Sequence, residues 1–108
     1  MHQHYDAAKE TTIQATVENT FTGTGRMRGV VWKVKTGDRE LAVILGPASY
    51  LEEKKFSAAA GDQIVVIGAP LPNRPEVIVA REVRLRGITL TLRDGNGRPL
   101  WTHRRRWS

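Results

Sequence analysis

Apolar and polar residues alternate with a period of two along most of this chain, which is typical of half-buried β-strands. In residues 12–18 (TIQATVE), every second side chain is apolar. The same alternation returns in residues 30–36 and 39–45, and the pair Gly37-Asp38 makes a tight turn between them. The pattern therefore predicts three strands, the last two of which form a hairpin.

A different pattern follows the third strand. Residues 48–56 (ASYLEEKKF) are mostly helix formers, and Pro47 suits the first position of a helix. Residues 63–67 and 76–81 are β-branched runs, and the proline-rich residues 69–75 between them predict a loop. The predicted order is three strands, a helix and two strands.

This order is that of the five-stranded OB barrel, whose helix lies between strands three and four, and it fits a sandwich or an SH3-like barrel less well. Alternation and a turn in residues 88–101 add a C-terminal hairpin that packs on the barrel. We therefore predict an all-β fold, a five-stranded OB-fold barrel with a short helix between strands three and four and a C-terminal β-hairpin. The residues expected inside it include Leu41, Val43, Val66 and Val79.

Length and composition limit the domain organisation. With 108 residues the chain forms one domain. We expect a flexible arm or tag remnant in residues 1–10, the barrel in residues 11–101 and a basic tail in residues 102–108. No apolar run approaches the roughly 18 residues that cross a bilayer. The chain has no cysteine, which excludes disulfides, thiolate nucleophiles and cysteine zinc sites.

The net charge of +6 arises at the C-terminal end. Residues 1–78 contain nine Lys/Arg and nine Asp/Glu, whereas residues 79–108 contain eight arginines against Glu82 and Asp94. Arginine suits phosphate, carboxylate and aromatic faces better than lysine does. A polyanionic partner is one interpretation of this excess, and a solubilising basic end is the other.

The sequence lacks the usual signatures of an enzyme. Three glycines in residues 22–29 do not form GxGxxG and open no strand-to-helix junction for a pyrophosphate. All histidines lie near the chain ends, so none is available in the interior as a general base. Adjacent Glu52 and Glu53 suit a solvated helix face rather than a carboxylate pair. We therefore predict no catalytic residue, no metal and no cofactor.

Binding is the function that the residue types favour. OB barrels commonly bind through the face of strands two and three and the adjoining loops. In this chain that surface and the tail carry cations, with a tryptophan on which a base can stack if the ring is exposed. An inward position of the ring is the alternative, because it shares parity with Val34. The candidate ligand-binding residues are Arg26, Arg28, Trp32, Lys33, Lys35, Arg39, Arg74, Arg104, Arg105 and Arg106.

Two short motifs, Leu45-Gly46-Pro47 before the helix and Leu92-Arg93-Asp94 before the last turn, are the most specific parts of a wider resemblance. They lie within or beside the segments YDAAKETTIQATVE, GVVWKVKT, LAVILGPASYLEEKKF, AAGDQIVVIGAP, VIVAREV and ITLTLRDGNGRPLW. Together these resemble a family of small bacterial OB-fold proteins of mostly unassigned function, similar to the OB domains of some magnetosome-associated proteins. The chain departs from that pattern at Val31 and Trp32, where small aliphatic residues or a histidine are common.

The resemblance implies an exported protein, because family members usually begin with a signal peptide. If such a peptide precedes these residues in the full gene product, we expect a periplasmic location, and otherwise a cytoplasmic one. Two functions follow from the sequence. One is a non-enzymatic module that binds single-stranded nucleic acid or another polyanion. The alternative is an exported accessory domain that binds a protein partner, for instance one with an acidic surface.

Overall fold

A computed structural model of the protein describes residues 7–23, 29–93 and 99–100. A single 3-10 turn, Ala7–Lys9, comes before the first strand. The strands of the described part, and the helix α1 that lies between β3 and β4, are β1 (Thr11–Thr22), β2 (Gly29–Thr36), β3 (Arg39–Pro47), α1 (Ala48–Glu53), β4 (Gln63–Leu71), β5 (Arg74–Leu85) and β6 (Ile88–Thr91). The predicted order of three strands, a helix and two strands is confirmed.

The sheet closes on itself through its first five strands. Its order is β3-β2-β1-β4-β5-β6, and β3 also pairs with β5. This closing contact is parallel and runs from Ala42 opposite Val77 to Ile44 opposite Val79. The other pairings are antiparallel, and β6 adds a strand beside β5. The structure is thus the predicted all-β barrel, with one extra strand and one short helix.

The predicted inward residues are buried. Leu41, Val43, Val66 and Val79 are each at most 4% exposed. The first three belong to one hydrophobic cluster that combines side chains from all six strands and α1. Val79 is buried outside that cluster, because it pairs with the outward Ile44, so its predicted position inside the barrel is wrong. Strand β2 shows the same alternation of inward and outward side chains: Val30, Trp32 and Val34 are buried, whereas Lys33 and Lys35 are exposed.

The loop predicted at residues 69–75 is wrong. Strand β4 continues to Leu71, β5 begins at Arg74, and these two residues pair across a two-residue turn. Pro70 is tolerated in β4 because the register shifts between Pro70 and Leu71, and proline, which lacks an amide hydrogen, is accepted at such irregularities. The connection is therefore a tight hairpin and presents no extended loop beside the β2–β3 surface.

Helix α1 is shorter than the predicted helix over residues 48–56. Lys55 has a φ of 56°, a left-handed conformation that cannot continue a helix. The amide of Phe56 donates to the Leu51 carbonyl and that of Lys55 to the Glu52 carbonyl, as in a Schellman motif. This ending turns the chain so that Phe56 is buried in the core.

The base of the C-terminal hairpin predicted in residues 88–101 is present, and β6 begins its first arm. Strand β6 follows β5 through the turn Arg86-Gly87, in which both φ angles are positive, as in a type I′ turn. Arg93 then forms a β-bridge with Pro99, and the amide of Leu100 donates to the Leu92 carbonyl. The predicted tip of this hairpin and Trp101 lie outside the described residues.

Candidate binding surface

The outward side of β1, β2 and β3 carries a row of apolar side chains. Phe21 pairs with Val31, and Val31 pairs with Ile44. Phe21 is 54% exposed, and the other two side chains are half-buried. We call these three residues, together with Lys33 beside them, the β1–β3 outer face. Monomeric proteins leave single hydrophobic residues exposed, but a contiguous row across three strands is a feature of interaction surfaces.

Phe21 reaches this face because of an irregularity in β1. Val17 pairs with Val34, but the next paired residue is Asn19, opposite Lys33, so one extra residue is inserted in β1. This bulge reverses the parity of the strand. Phe21 shares odd numbering with the inward Val17, yet its side chain lies outside. Sequence reasoning missed Phe21, since the predicted strand ended at residue 18 and alternation alone would have turned the ring inward.

The cations predicted on β2 lie on the outside of the barrel. Lys33 and Lys35 are both exposed. The Lys33 ammonium lies 3.4 Å from the Glu40 carboxylate, and both side chains are about half exposed (45% and 54%). An ion pair this exposed stabilises the fold by at most about 1 kcal/mol. Its effect here is local, because it directs the Glu40 carboxylate towards Lys33, although Glu40 pairs with Lys35 in the β2–β3 ladder.

Arg39 and Arg74 are exposed at one end of the barrel. They begin β3 and β5, and each comes three residues before a member of the parallel pair Ala42 and Val77. Because the two strands run in the same direction, both arginines lie at the end where the β2–β3 and β4–β5 turns are found. Of the predicted cations, Lys33 and Lys35 therefore lie on the outer side of β2, whereas Arg39 and Arg74 lie together at one end of the barrel.

Trp32 does not belong to the surface. Its side chain is 1% exposed, and its ring stacks on Phe56 with centroids 6.1 Å apart and planes inclined by 12°. The alternative in which the indole belongs to the core is correct, and its assignment as an exposed base-stacking residue is wrong, because the ring is buried. Arg26, Arg28, Arg104, Arg105 and Arg106 lie outside the described residues.

The described part of the chain contains no group of three or more His, Cys, Asp or Glu side chains that could hold a metal ion. Nor does any helix within it have the length and apolar character needed to cross a membrane. What these residues do offer is a closed barrel with an apolar row flanked by cations.

The barrel corresponds to a known sequence family. The model of the MamS/MamX magnetosome protein family matches residues 9–90, from just before β1 to within β6. The chain belongs to the MamS/MamX magnetosome protein family. The resemblance to magnetosome-associated proteins is thereby confirmed at the level of the family. Among proteins with curated descriptions, none matches the sequence.

The family match covers the whole closed barrel of this MamS/MamX family member, including α1 and the β1–β3 outer face. The chain after residue 90, with the Arg93–Pro99 bridge, lies beyond the match.

Proposed function

We propose that this MamS/MamX family member is a non-enzymatic accessory domain that binds an acidic protein partner through the β1–β3 outer face. Membership of a magnetosome protein family favours an accessory role. The observation that carries the proposal is the outward row beside Lys33, in which Phe21 is exposed and Val31 and Ile44 are half-buried.

The chemistry of this face suits a protein interface. Interfaces combine an apolar centre, often aromatic, with a polar rim that excludes water. Phe21 is 54% exposed, so a partner would remove a large apolar surface from water, at about 25 cal/mol per Å². Val31 and Ile44 extend the centre, and Lys33 begins the rim. An aromatic anchor flanked by a cation is therefore available without rearrangement of the barrel.

The charge of the chain indicates the kind of partner. The net charge is +6, Lys33 is exposed on the outer face, and Lys35 is exposed two residues farther along β2. Like charges oppose the pairing of two copies through this face, whereas an acidic surface is attracted and its encounter accelerated. We therefore assign the face to an acidic protein rather than to a second copy of this chain.

Single-stranded nucleic acid fits the same face less well. Binding of bases needs several flat side chains for stacking, and within the described residues Phe21 is the exposed aromatic, while Trp32 and Phe56 are buried. Val31 and Ile44 are aliphatic and offer no flat ring on which a base can stack. The nucleic-acid hypothesis remains a competing outcome of the experiment that follows.

The test compares Phe21→Ser with Ile88→Ser. Both residues are exposed hydrophobics, at 54% and 60%, but Ile88 lies on β6, away from the outer face. A partner enriched from an extract of the source organism is identified by mass spectrometry and purified, and its affinity for each variant is measured by calorimetry. We expect Phe21→Ser to weaken binding by about tenfold or more, as interface anchors do, and Ile88→Ser to leave it unchanged.

Two results would contradict the proposal. One is a partner whose affinity is the same for Phe21→Ser and the unaltered protein. The other is that the material retained by the protein from the extract is destroyed by nuclease. In that case a fluorescent oligonucleotide should bind the unaltered protein at low salt, and Phe21→Ser should abolish this binding. The second result would assign the same face to single-stranded nucleic acid.

A further inference from the structure

A separate groove, which we call the basic groove, lies on the outside of the barrel across β2, β1, β4 and β5. Its volume is about 550 Å³. Among the described residues that line it, the charged ones are Lys35, Arg84 and Arg86, and none is a carboxylate. Its polar lining side chains include Gln14, Thr16, Thr36 and Gln63.

The strand pairings explain why these side chains meet. Thr16 on β1 pairs with Lys35 on β2 and with Gln63 on β4, so these three form one row across the sheet. In the adjacent row, Val65 of β4 pairs with Gln14 on one side and Arg84 on the other. Arg86 follows in the β5–β6 turn. Three cations that are up to 51 positions apart in the sequence thus line one groove.

The cations of the basic groove keep donors available. An Arg86 amino group donates to the Asp62 carboxylate at 3.0 Å, and the second oxygen of that carboxylate accepts the Ala59 amide at 2.8 Å. This anchor orients the guanidinium but uses only part of its five donors. Arg84 lies 3.7 Å from Glu82, a longer contact.

Lys35 is the third cation. Its ladder neighbour Glu40 forms its ion pair with Lys33 instead, at 3.4 Å. The Lys35 ammonium therefore keeps its charge available on the side of the groove.

We propose that the basic groove binds a small soluble molecule that bears phosphate groups. Guanidinium forks match phosphate oxygens in pairs, and a lysine adds a point charge. The hydroxyl of Thr16 and the amides of Gln14 and Gln63 supply further donors between the cations. The volume lies within the range of small-molecule sites, so the groove admits a group larger than one phosphate. This site goes beyond the proposed partner-binding function and does not involve Phe21.

The probe for this site is inorganic pyrophosphate, titrated into the isotopically labelled full chain at low salt while amide chemical shifts are followed by NMR. We expect saturable shifts at Thr16, Gln63, Arg84 and Gly87, and weaker binding as salt is raised, because salt screens exposed charges. Lys35→Gln and Arg84→Gln should each raise Kd about tenfold, since a charge-assisted hydrogen bond is worth roughly one such factor.

Lys54→Gln is the matched control. Lys54 is exposed next to α1, with its ammonium over the Tyr50 ring, and it does not line the groove. Replacing Lys54 lowers the net charge by the same amount as replacing Lys35. Because Lys54 does not line the groove, we expect its loss to change the Kd for pyrophosphate by less than about twofold. Phe21→Ser should also leave pyrophosphate binding intact, which separates this site from the proposed partner surface.

Three results would overturn the proposal. The first is that amide chemical shifts do not change at about 10 mM pyrophosphate, which would mean a Kd too high for a specific site. The second is equal weakening by Lys54→Gln and Lys35→Gln, which would indicate a response to net charge alone. The third is binding to vesicles that contain phosphatidic acid without binding of pyrophosphate, which would assign the cations to a lipid surface.

Discussion

Trp32 is the residue whose position most changes the interpretation of this chain. Its indole is buried against Phe56, the residue that follows the left-handed end of the helix. Parity with Val30 and Val34 is compatible with this position, but parity alone does not say which side of a strand faces the core. The ring therefore stabilises the core by hydrophobic packing and is not exposed for a nucleic-acid base to stack on.

We expect Trp32→Ala to lower the free energy of unfolding by about 3–5 kcal/mol, the usual cost of truncating a buried tryptophan. Urea unfolding followed by far-UV circular dichroism measures this change. Val31→Ala, which shortens the neighbouring half-buried and outward side chain, should cost much less. A Trp32→Ala protein as stable as Val31→Ala would show that the indole does not support the core.

Arg93 is a second residue with an unexpected role. It is 2% exposed, and its guanidinium donates to the carbonyls of Leu45 and Ala80. Buried charges are tolerated when hydrogen bonds replace their hydration. Arg93 thus joins the chain after β6 to β3 and β5. In the sequence, Arg93 is one of the eight arginines after position 78 and the middle residue of the Leu92-Arg93-Asp94 motif, but neither feature predicts a buried guanidinium.

At the scale of elements, β4 and β5 depart most from the prediction. They form the hairpin that replaces the predicted loop, and the register shifts between Ile67 and Gly68. Gly68 is buried at this shift, and a Cβ there would meet the backbone of Val79 and Ala80. The glycine is therefore required by close backbone approach rather than by a turn, a role that glycines inside strands often have.

We expect Gly68→Ala to lower the free energy of unfolding by about 3 kcal/mol, since the backbone must shift to admit a methyl group. The control is Gly29→Ala, because a Cβ at Gly29 has no atom within 4 Å and its φ is not in the left-handed region. Thermal unfolding of both variants measures the difference. Equal stabilities would mean that β4 and β5 are farther apart at this point than the structure shows.

At the scale of the whole molecule, the barrel is held by contacts between distant parts of the chain. The parallel β3–β5 pairing closes it. The Arg81 guanidinium also donates to both oxygens of the Glu10 carboxylate at 2.9 Å, which joins the residue before β1 to β5. One hydrophobic cluster is shared by the strands and α1. No part of the barrel therefore has a core of its own.

A shared core predicts that the protein unfolds in one cooperative step. Near-UV circular dichroism, to which the packed Trp32 contributes, and far-UV circular dichroism, which reports the strands, should give the same Tm. Trp32→Phe serves as the control that identifies the near-UV contribution of the buried indole. A loss of the near-UV signal several degrees below the loss of strand signal would contradict a single cooperative core.

The sequence by itself determined the element order and most of the inward faces. Side-chain alternation and helix propensity are local properties, so residues a few positions apart suffice to predict β2, the helix and residues such as Leu41 and Val43. The family resemblance added specificity to the same regions, and the match over residues 9–90 confirms it as membership of the MamS/MamX family.

Tertiary structure alone decided which surface each outward residue occupies. A bulge in β1 turned Phe21 outward, the helix ending carried Phe56 onto Trp32, and pairing across β2, β1, β4 and β5 gathered Lys35, Arg84 and Arg86. The physical reason is that register shifts and barrel closure depend on how several strands twist and pair together. A single strand's alternation records which residues share a face, but not which distant strand will lie beside it.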